Sequence, residues 1–361
     1  MAGPSLFALL SLTGCVREYL FDRLQQPIFA PMAPVSGVGS LSAAACAGCH
    51  LEIAEEWRGS HMAMAWSDPV FQADWQESGQ LYLCLYCHTP LVDQRATLAT
   101  GLASLKPIRA AEVPNPSFDA SLQAEGVTCV SCHVKDGAIV GPLDIKDAPH
   151  PIRVDPEFAS ADRCVSCHQA DAPPLTSVRR PIADTHGEWE RWQKATGRTE
   201  TCTDCHMPAV ERELVYMGSV RKGRRHTFPG AWDADFARTS LAVSQVVRTA
   251  AGVSLTLTNL TGHNLPTADP MRALRVELVF NGSVIASTLL ERVIRTPAYA
   301  EERDTTLLPG EARVIRLPLA KDATGPIAAR VILARLYHTT PAVQATAVGD
   351  LELWTEVVPD L

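Results

Sequence analysis

Beyond a short N-terminal stretch, this chain of 361 residues has no apolar run of about 18 residues, the length a helix needs to cross a bilayer. No membrane-spanning helix is therefore expected in it. Positive charge is not in excess either: 32 Lys and Arg stand against 40 Asp and Glu, a net charge of -8. That balance lacks the clustered basic surplus that nucleic-acid binding requires, so no nucleic-acid partner is expected. Aromatic residues are scarce, at 6%, which leaves few large flat side chains with which to build cores. Cysteine is also missing in one specific sense: of eleven, only Cys15 lies outside a single repeated pattern. No pairs are left over for a disulfide framework.

The repeated pattern is Cys, any, any, Cys, His, and it occurs five times between residues 46 and 206. The copies are Cys46, Cys49, His50; Cys84, Cys87, His88; Cys129, Cys132, His133; Cys164, Cys167, His168; and Cys202, Cys205, His206. Zinc knuckles and thiol redox sites also use CxxC pairs, but neither needs a histidine directly after the second cysteine. Here that histidine is present every time. The pattern therefore reads as five covalent haem c sites, two thioethers holding each porphyrin and the adjacent imidazole taking one axial position on iron. At roughly 32 residues per haem there is too little polypeptide for a side-chain core around each. The porphyrins must make up much of that core, which fits the low aromatic content. Each haem would add two propionates, and the basic run Arg221, Lys222, Arg224, Arg225 reads as a solvated face or a propionate neighbour.

Residues 1–15 pair a short apolar run, Leu6 to Leu10, with Leu12, Thr13, Gly14 and Cys15. The run resembles a bacterial lipoprotein signal peptide whose cysteine becomes the lipid-bearing N-terminus, although no Lys or Arg precedes it. Export is expected, since haem attachment to CxxCH generally follows translocation. The expected location is the periplasm or the cell surface, with Cys15 anchoring the chain to the outer membrane. Residues 16–45, with Pro27, Pro31, Pro34, Gly37 and Gly39, read as a linker or as a strap over the cytochrome surface.

Five motif histidines fill five axial positions, and His61, His150, His186, His226, His263 and His338 remain for the other five. The helical pattern from His50 runs to Gly59. On a continuous helix His61 would lie about 16 Å from His50 along the axis, so it would serve a different haem or none. His150 stands between Pro149 and Pro151 in extended backbone, either reaching over a porphyrin face or lying in an exposed loop. His186 opens an amphipathic segment in which Trp189 and Trp192 share a face. Met207 adjoins His206 too closely to reach the opposite face of that haem. His263 sits in a Gly- and Pro-bounded loop, whereas His338 lies near a strand end and is set aside. The expected axial set is thus the five motif histidines with His61, His150, His186, His226 and His263. Spacing alone does not pair them.

Residues 91–125 read as helix and loop over the haems. From about residue 237 short alternating apolar segments begin, with a hairpin signal at Asn281, Gly282 and a break at Pro309, Gly310. The expected fold is a mainly α and irregular haem-packed domain, residues 46–236, followed by an all-β domain of Ig-like sandwich type, residues 237–361. If His226 and His263 serve as ligands, the two should unfold as one cooperative unit.

Several stretches resemble a known superfamily. They are Cys46 to Ala65 with Glu56, Trp57, Gly59, Ser60 and His61; Cys84 to Pro90; Gly126 to His133; His186 to Trp189 with Cys202 to Pro208; and Arg225 to Gly230. Together they are similar to the multihaem cytochromes related to the tetrahaem electron carrier that serves hydroxylamine oxidoreductase. Gly262 to Thr267 resembles a loop of a β domain appended to that superfamily. The resemblance implies closely stacked haem pairs and electron transfer. The haem count departs from the tetrahaem relative, and no CxxCK site like that of pentahaem nitrite reductases is present. The resulting expectation is an electron carrier between redox proteins, without substrate chemistry of its own. The alternatives are reduction or oxidation of a small nitrogen or sulfur oxyanion at one open haem, or a structural role as a filament homo-oligomer or the cytochrome partner of a porin.

Overall fold

The computed structural model describes residues 35–105, 108–146, 148–171, 180–295, 300–319, 324–337, 339–346 and 348–360. Cys15, most of the linker and His338 lie outside them. The chain divides into two compact units, one of residues 1–167 with 201–228 and one of residues 168–200 with 229–361. The strand pattern drew a boundary at residue 237. Contacts instead assign Pro229 onward, and the earlier stretch His168–Glu200, to the second unit.

The first unit is assembled from short pieces. Helices Ala43–Ala47 and Leu51–Arg58 flank the first motif, Leu85–His88 holds the second, and Cys129–His133, Asp162–His168 and Cys202–His206 hold the others. Helices of one or two turns are unstable alone, so packing must hold them. Leu51–Arg58 stops at Gly59, as the pattern indicated, and the chain continues in turns through His61. Small sheets fill the gaps. Strands β1 (Thr97–Leu105) and β2 (Ile108–Pro114) pair antiparallel. Strands β3 (Val134–Lys135), β4 (Ala138–Gly141) and β5 (Ile152–Val154) form a three-stranded sheet. β6 (Ala209–Glu213) and β7 (Val220–Arg224) form a further hairpin.

The β1–β2 hairpin corrects the expectation of helix and loop over residues 91–125. Six of the nine residues of β1 are Ala, Gly, Ser or Thr, whose weak alternation hides a strand. Side-chain cores here are small. One gathers Val35, Leu91, Leu122, Val130 and Val134; another gathers Ala43, Trp57 and Ala63.

The second unit is a conventional β core. Its strands are β8 (Leu241–Thr249), β9 (Gly252–Asn259), β10 (Ala273–Phe280), β11 (Ser283–Arg295), β12 (Ala300–Asp304), β13 (Ala312–Pro318), β14 (Ile327–Ala334) and β15 (Leu351–Val358). They make a five-stranded sheet, β12-β11-β10-β14-β15, and a three-stranded sheet, β13-β9-β8. Leu255 and Leu257 of one sheet share a core with Leu274, Val276, Leu278 and Val331 of the other. Asn281 and Gly282, both at positive φ, turn β10 into β11, the conformation an Asn-Gly hairpin requires.

Candidate haem-binding site

Four motif histidines, His88, His133, His168 and His206, are each the last residue of a short helix. His50 instead caps the N-terminus of Leu51–Arg58. Three of the five imidazoles are oriented by the backbone. Nδ1 of His50 lies 2.7 Å from the Leu214 carbonyl, that of His88 2.6 Å from Ala65, and that of His133 3.1 Å from Val140. Among the spare histidines, Nδ1 of His226 lies 3.0 Å from the Arg224 carbonyl and that of His263 2.9 Å from Asn264. A carbonyl only accepts, so in each case Nδ1 carries the proton and donates. The lone pair is left on Nε2, the arrangement a metal-ligating imidazole uses.

The other three spare histidines differ. His61 faces Asp68 at 3.7 Å and His186 faces Glu190 at 3.8 Å. Burial raises the Asp68 carboxyl, but the hydrogen bonds from His61 and the Val70 N–H outweigh it and hold the group below the usual carboxylate range. Nδ1 of His150 is buried with no hydrogen-bond partner. An orphaned buried nitrogen is costly and calls for an explanation at this position.

His133 and His226 come together, their ring centroids 6.2 Å apart and their planes within 27°. Burial pushes the His133 imidazole down to about 4 and lowers that of His226, so both rings are neutral at pH 7, as ligation requires. Glu56 holds the His226 segment. Its carboxylate accepts the His226 backbone N–H at 2.9 Å, Arg212 at 2.8 Å and Arg225 at 2.7 Å. The basic run is thereby divided: Arg224 pairs with Asp204 and Arg225 with Glu56, while Arg221 and Lys222 are exposed.

The thiols bring different motifs into contact. Cys46 lies within hydrogen-bonding reach of Cys129, Cys87 of Cys167, and Cys164 of Cys202. Motif one therefore meets three, two meets four, and four meets five, and Cys132 also feels Cys167. Among the described residues no group of three or more His, Cys, Asp or Glu converges on a metal-ion position, so the CxxC pairs do not close into a zinc tetrahedron. The first and third motifs are further stitched together. Glu125 accepts hydrogen bonds from the Ser42 hydroxyl, the Ala43 N–H and the Thr128 hydroxyl. The Trp57 indole donates to the Val127 carbonyl at 2.8 Å. Gly126, at φ +58, lies so close to residues 62–65 that a Cβ would sit 2.8 Å from the Met62 carbonyl oxygen.

The second unit holds its own histidines. Helix Thr185–Thr196 carries His186, and Glu188 on it accepts the Asn264 N–H at 3.0 Å and the Thr267 hydroxyl at 2.6 Å. Gly262 lies against Trp192. The loop bearing His263 is thus fixed to the helix bearing His186.

Several of these features carry no sequence signature. The carbonyls of Leu214, Ala65, Val140, Arg224 and Asn264 are backbone groups. Glu56 and Glu125 look like ordinary acids in the sequence.

A chain of short helices bearing haem-type motifs, three of the motif imidazoles oriented by the backbone, has a multihaem cytochrome-like fold. It is similar to the crystal structure of a penta-heme cytochrome c552 from Thermochromatium tepidum, at 18% identity and a TM-score of 0.63, over 88% of this chain and 98% of that one. No family model and no curated protein matches the chain.

Proposed function

We propose that this chain is an exported pentahaem c-type cytochrome that passes electrons between redox proteins. When bound, haem would supply one-electron chemistry. The chain's own residues do the rest. The ten motif cysteines would hold five porphyrins by thioether bonds, and His50, His88, His133, His168 and His206 would each ligate one iron. His61, His150, His186, His226 and His263 would supply the second ligands, so that each iron would keep the same ligands on electron transfer.

The observation that carries this reading is the shared Nδ1-to-carbonyl bond of three motif and two spare histidines. The 6.2 Å separation of His133 and His226 supports pairing those two. Metal–imidazole bonds of about 2.0 Å would put two rings ligating one iron at about that centroid distance. The thiol contacts support an order of adjacency of one, three, four, five, with motif two beside four. Of the ten motif cysteines, Cys49 and Cys205 are exposed, which supports the first and fifth motifs as the places where partner proteins dock. In the second unit, the two-sheet core and its strand order support an Ig-like sandwich. The lipobox sequence supports lipid anchoring at Cys15, at the periplasmic or cell-surface face of the outer membrane.

Pyridine haemochrome assay with intact-mass measurement should find five haems per chain. Resonance Raman of the purified protein should show six-coordinate low-spin iron throughout. A substantial five-coordinate high-spin population would sink the all-bis-histidine assignment.

A further inference from the structure

Arg95 follows the second motif and is 0% exposed. Its guanidinium donates to the carbonyls of Thr89 at 3.1 Å and Leu85 at 3.3 Å and to the Tyr82 hydroxyl at 3.4 Å, and it lies 5.3 Å over the Tyr82 ring. Leu85 and Thr89 are the first residue and the C-cap of the helix Leu85–His88 that carries His88.

Among the described residues, Arg95 makes no ion pair with a carboxylate. The other buried arginines do: Arg212 pairs with Glu52 and Glu56, Arg292 with Glu301, and the buried side chain of Arg248 with Asp360. Arginines near other motifs are paired too, Arg163 with Asp155 and Arg224 with Asp204. A buried cation lacking a counter-charge is costly to fold around, and peptide carbonyls offset its desolvation without cancelling its field. That field reaches the motif, since two of the guanidinium's bonds end on the helix that carries His88. In a low-dielectric interior it is little screened by salt.

We propose that Arg95 is a positioning and tuning residue that raises the reduction potential at the second motif above those at the other four. The proposal rests on the haem reading above. A fixed positive charge disfavours the ferric state, which carries one more positive charge than the ferrous. The second motif would then hold an electron in preference to its neighbour, motif four.

The test is spectropotentiometric titration of the full haem-loaded protein, each haem assigned by NMR or EPR. In the unmodified protein the haem at Cys84 and Cys87 should have the highest potential of the set; any other rank overturns the proposal. In R95Q its reduced-to-oxidised ratio at fixed ambient potential should fall on the order of tenfold, 59 mV for one electron. R95K, which keeps the charge, should restore most of the shift. An R95Q protein with full haem content and unmoved potentials overturns the proposal, as does an equal shift in R95K and R95Q. Absence of haem from the unmodified protein would instead overturn the haem reading itself.

Discussion

Replacing Glu56 by Ala tests the link between the helix Leu51–Arg58 and His226, which on the haem reading is the second ligand at the third motif. The carboxylate is 12% exposed and serves Arg212, whose side chain is 6% exposed, together with Arg225. Removing one partner of a buried charge network costs about 3–5 kcal/mol. Glu52 still reaches Arg212 at 2.9 Å but is 72% exposed, so the lower end, about 3 kcal/mol, is expected. Locally, the His226 N–H loses a charged acceptor. Such a bond contributes about 1.5–3 kcal/mol, a shift of about 10- to 150-fold toward release of the His226 segment. Denaturant titration should give a lower midpoint for E56A, and its spectrum should show a high-spin fraction belonging to the third motif. E56Q, which can still accept the N–H, should lie between. Burial raises the Glu56 carboxyl, but the His226 N–H, Arg212 and Arg225 outweigh it, leaving its native pKa below the ordinary value. Its stabilisation is therefore complete above the unfolded pKa of about 4.3 and is lost as pH falls through the native one. An E56A protein with unchanged midpoint and no high-spin iron would refute this account of the network.

Three further outcomes are expected. On the haem reading, His226→Ala should convert one haem, that of His133, to a high-spin form that binds CO, while the other spectra stay as they were. Gly126→Ala places a Cβ against the Met62 carbonyl at a positive φ and should destabilise the first unit by about 1–3 kcal/mol, read by denaturant unfolding. Leu255→Ala removes a fully buried side chain from the β core and should cost about 2–5 kcal/mol by the same measurement.

Much of the molecule is legible in the sequence, for identifiable reasons. The five motifs are local and chemically specific. The later strands announce themselves because Val253, Leu255 and Leu257 alternate toward one core. Asn281 and Gly282 place the β10–β11 turn because few other residue pairs adopt that backbone. The β1–β2 hairpin escapes because small residues carry no period. The division at Cys167 and His168 escapes as well, since it follows tertiary contacts, which a boundary drawn from composition does not see. The proximity of His133 and His226 joins the third motif to the segment just after β7, and spacing gives no hint of it. Arg95 and Glu56 look like surface residues until their partners are known.

The interleaving of the two units bears on how the protein is made. Residues 201–228 complete the first unit, and among them are the fifth motif, β6, β7 and His226. During synthesis, all five cysteine pairs therefore emerge before the segment that closes over the first of them. On the haem reading, attachment can act on an open chain, and the late arrival of Leu214 and His226 then locks His50 and His133 in place. A chain truncated before residue 201 should accept haem at the first four motifs yet remain sensitive to protease, its early sites filled but not enclosed.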